Sequence, residues 1–240
     1  MANWRGFKRI DFEFHGHECI LVCPDIPAEG RPWVWRAEFF GAFAQADEAM
    51  IRSGWHVAYV KLSDQYGCPE AVGEMEDFRV YLTAEYELCE RAAIFGFSRG
   101  GLYAVNYALV YPNGVESLYL DAPVLDVRSW PAGWGTGIGG RREWEQCKTC
   151  YALTDETARD FAGNPLDRAE ELAGLNIPVL IVAGDADDVV PLAENSLPFV
   201  KRMREAGARV ELIVKQGCGH HPHSLEDVAP IVKFLTEKRA

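Results

Sequence analysis

The sequence predicts an α/β fold: a mostly parallel, twisted sheet with helices on both faces. Three observations carry that prediction. Short apolar runs such as "WHVAYVK", "AAIFGF" and "PVLIVAG" have the length and composition of strands buried on both sides. Between them lie stretches whose apolar residues recur at helical spacing. The two kinds of segment alternate along most of the 240 residues, the order that places helices over a parallel sheet.

Taken in order, "RIDFEF" (Arg9–Phe14) alternates polar and apolar like a strand with one wet face. After a turn at Gly16, "HECILVC" (His17–Cys23) reads as its antiparallel partner, so the chain is expected to open with a hairpin. A Pro/Gly-punctuated loop, Pro24–Pro32, leads to a helix expected over 37–52 and a strand over 55–61. A helix follows over 70–88, with Val72, Met75, Val80 and Leu82 at helical spacing. Strand "AAIFGF", helix "GLYAVNYALVYP" and strand "ESLYLDAPV" come next. From about 126 to 176 the rhythm breaks into Trp-, Gly- and Arg-rich sequence with room for one or two short helices. Regular alternation returns with a strand at 178–184, a helix over 192–206, a strand at 208–215 and a last helix over 225–239. The expected organisation is one domain, 1–240, with a cap or lid insertion at about 126–176, after the sixth strand.

Composition narrows the function classes. The net charge of −12 argues against a nucleic-acid partner, which needs basic patches to neutralise phosphates. No run approaches transmembrane length and the start lacks the apolar core of a signal peptide. No membrane partner is expected, and the cytoplasm is the expected setting unless a leader has been removed. The seven cysteines follow no framework spacing and read as reduced, mostly buried residues. The sequence does not indicate an oligomeric state.

The chemistry concentrates in "GFSRG", Gly96–Gly100, between an apolar strand and a helix. A serine at the tip of such a turn adopts a strained backbone conformation, and bare glycines two before and two after it remove collisions. The helix beginning after Ser98 points unpaired N–H groups at its oxygen, so the N–H of Arg99 is a natural oxyanion donor. A hydroxyl needs a base to take its proton, and histidine is the usual one at neutral pH. His15, His17 and His56 precede the serine and flank early strands. His220, His221 and His223 cluster in "KQGCGHHPH", in the loop after the last strand and so at the same sheet edge as Ser98. His220 is favoured because it follows the Gly-x-Gly turn directly, with His221 as the alternative. The acid comes from "GDADDVVP", where Asp185, Asp187 and Asp188 compete; Asp187 is the choice, and Asp121 stands in reserve.

Strand–GFSRG–helix, then "GDADDVVP", then "GCGHH" closely resembles the α/β-hydrolase fold family of serine esterases, and the order Ser98, Asp187, His220 matches its chain order. The resemblance runs from the opening hairpin to the final helix. It implies a Ser/His/Asp triad, a second oxyanion donor from the loop after the third strand, a cap after the sixth, and no metal or organic cofactor. The sequence departs from the family's frequent His-Gly at that loop, and a backbone N–H near Trp35 is the expected donor instead. Trp33, Arg36 and Trp134 are the expected substrate contacts, with Trp130, Trp144, Arg141 and Arg142 near them. A small-molecule carboxylic ester, in some versions linked to a sugar, is the expected substrate. A small serine peptidase and a non-catalytic ligand-binding protein are the alternatives.

Overall fold

A computed structural model describes residues 2–237. Nine strands form one sheet: β1 (Ala2–Trp4), β2 (Phe7–Phe14), β3 (His17–Cys23), β4 (Trp33–Arg36), β5 (His56–Val60), β6 (Ala92–Phe97), β7 (Val115–Asp121), β8 (Val179–Gly184) and β9 (Val210–Lys215). Their spatial order is β1-β2-β3-β5-β4-β6-β7-β8-β9. β1, β2, β3 and β5 pair antiparallel; from β5 to β9 every pairing is parallel. The carboxyl ends of β4 to β9 therefore share one edge, where loops collect.

The helices are α1 (Gln45–Arg52), α2 (Pro69–Tyr86), α3 (Gly100–Val110), α4 (Arg141–Tyr151), α5 (Ala169–Gly174), α6 (Ser196–Glu205) and α7 (Ala229–Thr236). Period-two alternation sorts the strand side chains between two cores. Trp33, Trp35, Ile94 and Leu118 pack under α2, α3, α5 and α6. Val34, Ala93, Phe95 and Tyr119 pack under α1 and α7. Helices thus cover both faces.

Three differences from the expected elements matter. β4 is a strand, although its four residues were expected to be loop. It is fully buried between β5 and β6, where every side chain is covered and no polar–apolar alternation survives. The helix expected over 37–52 starts only at Gln45, leaving 37–44 as a loop at the carboxyl edge. The last helix ends at Thr236, and residues 238 and 239 of its expected span lie outside the described residues.

Between β7 and β8, one strand later than the expected place after the sixth, the stretch 126–176 divides in two. Trp144, Cys147 and Ala158 form a small core with Val127, Leu102 and Val190, so this part rests on the loops at the carboxyl edge. Ala169, Leu172 and Ala173 of α5 instead join the main core beside α6, as part of the body.

Candidate active site

Ser98 lies between the last residue of β6 and the first turn of α3, with φ +50°. A non-glycine residue rarely holds this conformation, and here three backbone hydrogen bonds impose it. The Ser98 N–H donates to Asp121 O at 2.9 Å, while its carbonyl accepts from Gly101 N and Val124 N at 2.9 Å each. The turn is thereby tied to the end of β7. A Cβ on Gly96 would lie 2.8 Å from Gly100 O, and one on Gly101 would lie 2.6 Å from Pro123 Cβ and 2.9 Å from Val124 O. Gly100 is less confined, since a Cβ there meets Glu38 Cβ at 3.4 Å. The second crowded glycine is therefore Gly101, three places after the serine, and not the expected Gly100.

His220 arrives from the loop after β9. Its Nε2 is 3.0 Å from Ser98 Oγ and its Nδ1 is 2.8 Å from Asp187 Oδ2. The close crossing of this loop over β8 depends on Gly184, where a Cβ would stand 2.1 Å from Cys218 O. Lys215 Nζ holds the far side of the loop by donating to the carbonyls of Pro222 and Ser224.

The three aspartates after β8 have separate tasks. Asp187 is buried; its second oxygen accepts the N–H groups of Val189 and Val190 at 2.9 and 2.8 Å. Burial pushes its carboxyl up, but the His220 ring and those two N–H groups outweigh that and hold it below the usual carboxylate range. Asp185 caps the Gly217 N–H at 2.6 Å. Asp188 is exposed, and its carbonyl accepts the N–H of Ile138 at 2.7 Å. Asp121, the reserve acid, binds a different histidine: its Oδ1 is 2.8 Å from His223 Nδ1, and its Oδ2 accepts from Tyr119 Oη and Ser224 N. His221 is exposed and stacks on Phe43.

Several expected contacts are not at the site. Trp35 lies in the middle of β4, its backbone paired with Ala58 and Ile94 and its ring packed against Trp33, Phe78 and Tyr107. It is not placed to donate to an oxyanion. Trp33 is fully buried, with its indole N–H on Cys89 O, and no substrate reaches it. Arg36 is also fully buried; it sits 3.3 Å from Asp47, 4.0 Å from the centre of the Phe97 ring, and donates to the carbonyls of Phe39 and Ala42. Its structural role is to brace the 37–44 loop. Trp134 is partly exposed on the inserted segment, edge-on to Trp144 and beneath Arg159.

The loop that does lie beside the nucleophile turn is 37–44, through Gly100 and Arg99. Glu38 N lies 3.7 Å from the position a Gly100 Cβ would take. Glu38 is buried, and its carboxylate accepts from Arg99 Nε at 2.6 Å and from Ser63 Oγ at 2.9 Å, while Arg99 also binds Asp64 at 2.7 Å. Burial pushes the Glu38 carboxyl above its ordinary value despite the guanidinium beside it. Sequence reasoning missed Glu38. Its partner lies 61 residues away, and only the strand order β4–β6 brings the two together. Among the described residues no acceptor takes the N–H of Arg99.

A model of the prolyl oligopeptidase family matches residues 74–239, well over half of the chain and a span that holds Ser98, Asp187 and His220. The chain belongs to that family. As a prolyl oligopeptidase family member it carries the α/β-hydrolase fold. The family is thus named for peptidases, where the sequence resemblance pointed to esterases. No curated protein matches the sequence.

Solved structures match across nearly the whole chain. The dipeptidyl peptidase 4 of Porphyromonas gingivalis superposes with TM-score 0.72 at 17% identity, covering 99% of this chain and 36% of its own. The acylaminoacyl peptidase of Pyrococcus horikoshii gives 0.68 at 18%, covering 89% and 37%. A puromycin-hydrolyzing peptidase of Mycobacterium tuberculosis gives 0.69 at 16%, covering 90% and 36%. The chain spans little more than a third of each of these proteins, and at such identities the likeness carries the fold alone. Among the described residues no helix is long and apolar enough to cross a membrane.

Proposed function

We propose that this family member hydrolyses carboxylic esters of small molecules through an acyl-enzyme, with Ser98 as nucleophile, His220 as base and Asp187 as its orienting acid. The observation that supports this is the unbroken chain from Ser98 Oγ to His220 Nε2 at 3.0 Å and from Nδ1 to Asp187 at 2.8 Å. With Asp187 ionised, His220 carries its proton on Nδ1 and presents a lone pair to the serine. Attack on the carbonyl passes the Ser98 hydroxyl proton to Nε2, and the buried carboxylate stabilises the imidazolium that forms. The oxyanion takes the N–H of Arg99 and a backbone N–H of the Glu38–Phe39 turn. Nε2 then protonates the leaving alcohol, and a water activated by the same ring releases the acid.

A second reading is favoured by the family match: cleavage of a short peptide. The same groups serve it, but an amine leaves only after full protonation, whereas an alkoxide or phenoxide leaves more readily. Turnover of short p-nitrophenyl esters and of a panel of aminoacyl p-nitroanilides, each scored against its own uncatalysed rate, separates the two. A larger rate enhancement on the esters, abolished by Ser98→Ala, is the expected result. Undiminished turnover in Ser98→Ala refutes the nucleophile, and a marked preference for the anilides transfers the assignment to peptides.

A further inference from the structure

The proposed catalytic ring has two histidine neighbours that the reaction scheme leaves unused. The ring centres of His220, His221 and His223 stand 4.9 Å apart in all three pairings, with interplanar angles of 65°, 80° and 88°. One ligand nitrogen from each lies within 4.8 Å of the other two.

In a tetrahedral zinc site with Zn–N bonds of about 2.0–2.1 Å, three imidazole centres stand roughly 5 Å from one another, the spacing seen here before any movement. The outer partners also suit a metal. Asp187 engages Nδ1 of His220 and Asp121 engages Nδ1 of His223, each at 2.8 Å. Both rings are therefore left to coordinate through Nε2, the carboxylate–histidine arrangement that fixes the tautomer and raises ligand basicity. His221 is exposed, its ring nitrogens have no hydrogen-bond partner among the described residues, and it gives an ion a way in from solvent.

We propose that His220, His221 and His223 form an inhibitory site for a divalent cation of zinc's class. The metal takes Nε2 of His220, which is the same lone pair that accepts the Ser98 proton at 3.0 Å. Binding and turnover are then mutually exclusive: with the ion bound the serine has no base, and removing the ion restores it. The loss of activity rests on the assignment of His220 as base; the binding itself does not.

The test uses zinc chloride and two readouts. Calorimetry on Ser98→Ala, which keeps all three rings, is expected to show one saturable site per chain. Adding His221→Ala to that variant is expected to weaken binding about tenfold or more, as loss of one of three ligands should. In wild type, zinc is expected to suppress p-nitrophenyl ester turnover over the same concentration range, with recovery on adding a chelator. His221→Ala, scored against its own metal-free rate, is expected to need about tenfold more zinc for half-inhibition. Absence of saturable binding to Ser98→Ala at millimolar zinc overturns the site. Equal affinity with and without His221 overturns it too, as does binding that leaves wild-type turnover intact. Saturable, His221-dependent binding in a protein with no ester or anilide turnover would support the metal site while refuting the proposed hydrolase reading.

Discussion

Asp187→Asn is the substitution that bears most directly on the proposed chemistry. The native carboxylate accepts three hydrogen bonds, one from His220 and two from Val189 and Val190. An asparagine oxygen retains the two backbone bonds, so the loop after β8 keeps its shape. The amide nitrogen then faces His220 Nδ1 as a donor. The ring responds by moving its proton to Nε2, which leaves no lone pair toward Ser98. A wrong tautomer of this kind lowers kcat by about 10⁴ in triad enzymes, which corresponds to about 5 kcal/mol of transition-state stabilisation. Loss of one charge-assisted hydrogen bond also lowers stability, by about 1.5–3 kcal/mol. The assay is kcat and KM on a short p-nitrophenyl ester, with a urea melt to confirm folding. Asp188→Asn is the control, because its carboxylate is exposed and the hydrogen bond this residue accepts from Ile138 goes to its backbone carbonyl, which the substitution keeps. A folded Asp187→Asn enzyme that retains more than about a tenth of wild-type kcat refutes the tautomer argument, and so does a comparable loss in Asp188→Asn.

Two further outcomes are expected. Gly101→Ala drives a Cβ to within 2.6 Å of Pro123 Cβ and 2.9 Å of a backbone oxygen, so the turn must shift. It should cost about 1–3 kcal/mol and much of the activity, while Gly100→Ala, with its nearest contact at 3.4 Å, should retain both; thermal melts with steady-state kinetics check the pair. His56 is buried, and desolvation with Arg31 nearby lowers its pKa from 6.5 to about 4. The folded state therefore favours the neutral ring: its stability is fully present above pH 6.5 and is lost as the pH falls toward about 4. The loss approaches about 3 kcal/mol, and urea melts at neutral and acid pH should show a flatter dependence for His56→Gln than for wild type; equal slopes contradict it.

Much of the site was legible because its parts sit in local patterns. The glycines around Ser98, the loop "GDADDVVP" and the loop "GCGHH" each follow an apolar strand, and parallel strands deliver such loops to one edge. Within each loop the sequence separates neighbours weakly or not at all. Nothing local distinguishes Asp187 from Asp188, and only the preceding Gly-x-Gly turn favours His220 over His221, since the difference lies in which side chain turns inward. The oxyanion loop was misread because β4 is four residues long and buried on both faces, so Trp33, Trp35 and Arg36 looked like loop residues near a mouth. In the fold they are core, and Arg36, expected to contact substrate, is held inside by Asp47 and the Phe97 ring.

The amino-acid order alone determined the layered α/β architecture and the three segments that meet at its edge, because apolar period and glycine placement are local properties of a chain. Tertiary structure decided which carboxylate meets which imidazole: Asp187 with His220, Asp121 with His223, and Glu38 with Arg99. Those pairings form between residues 33, 102 and 61 positions apart in the chain. They depend on strand order and on distances of a few ångströms, which no periodicity in the sequence encodes.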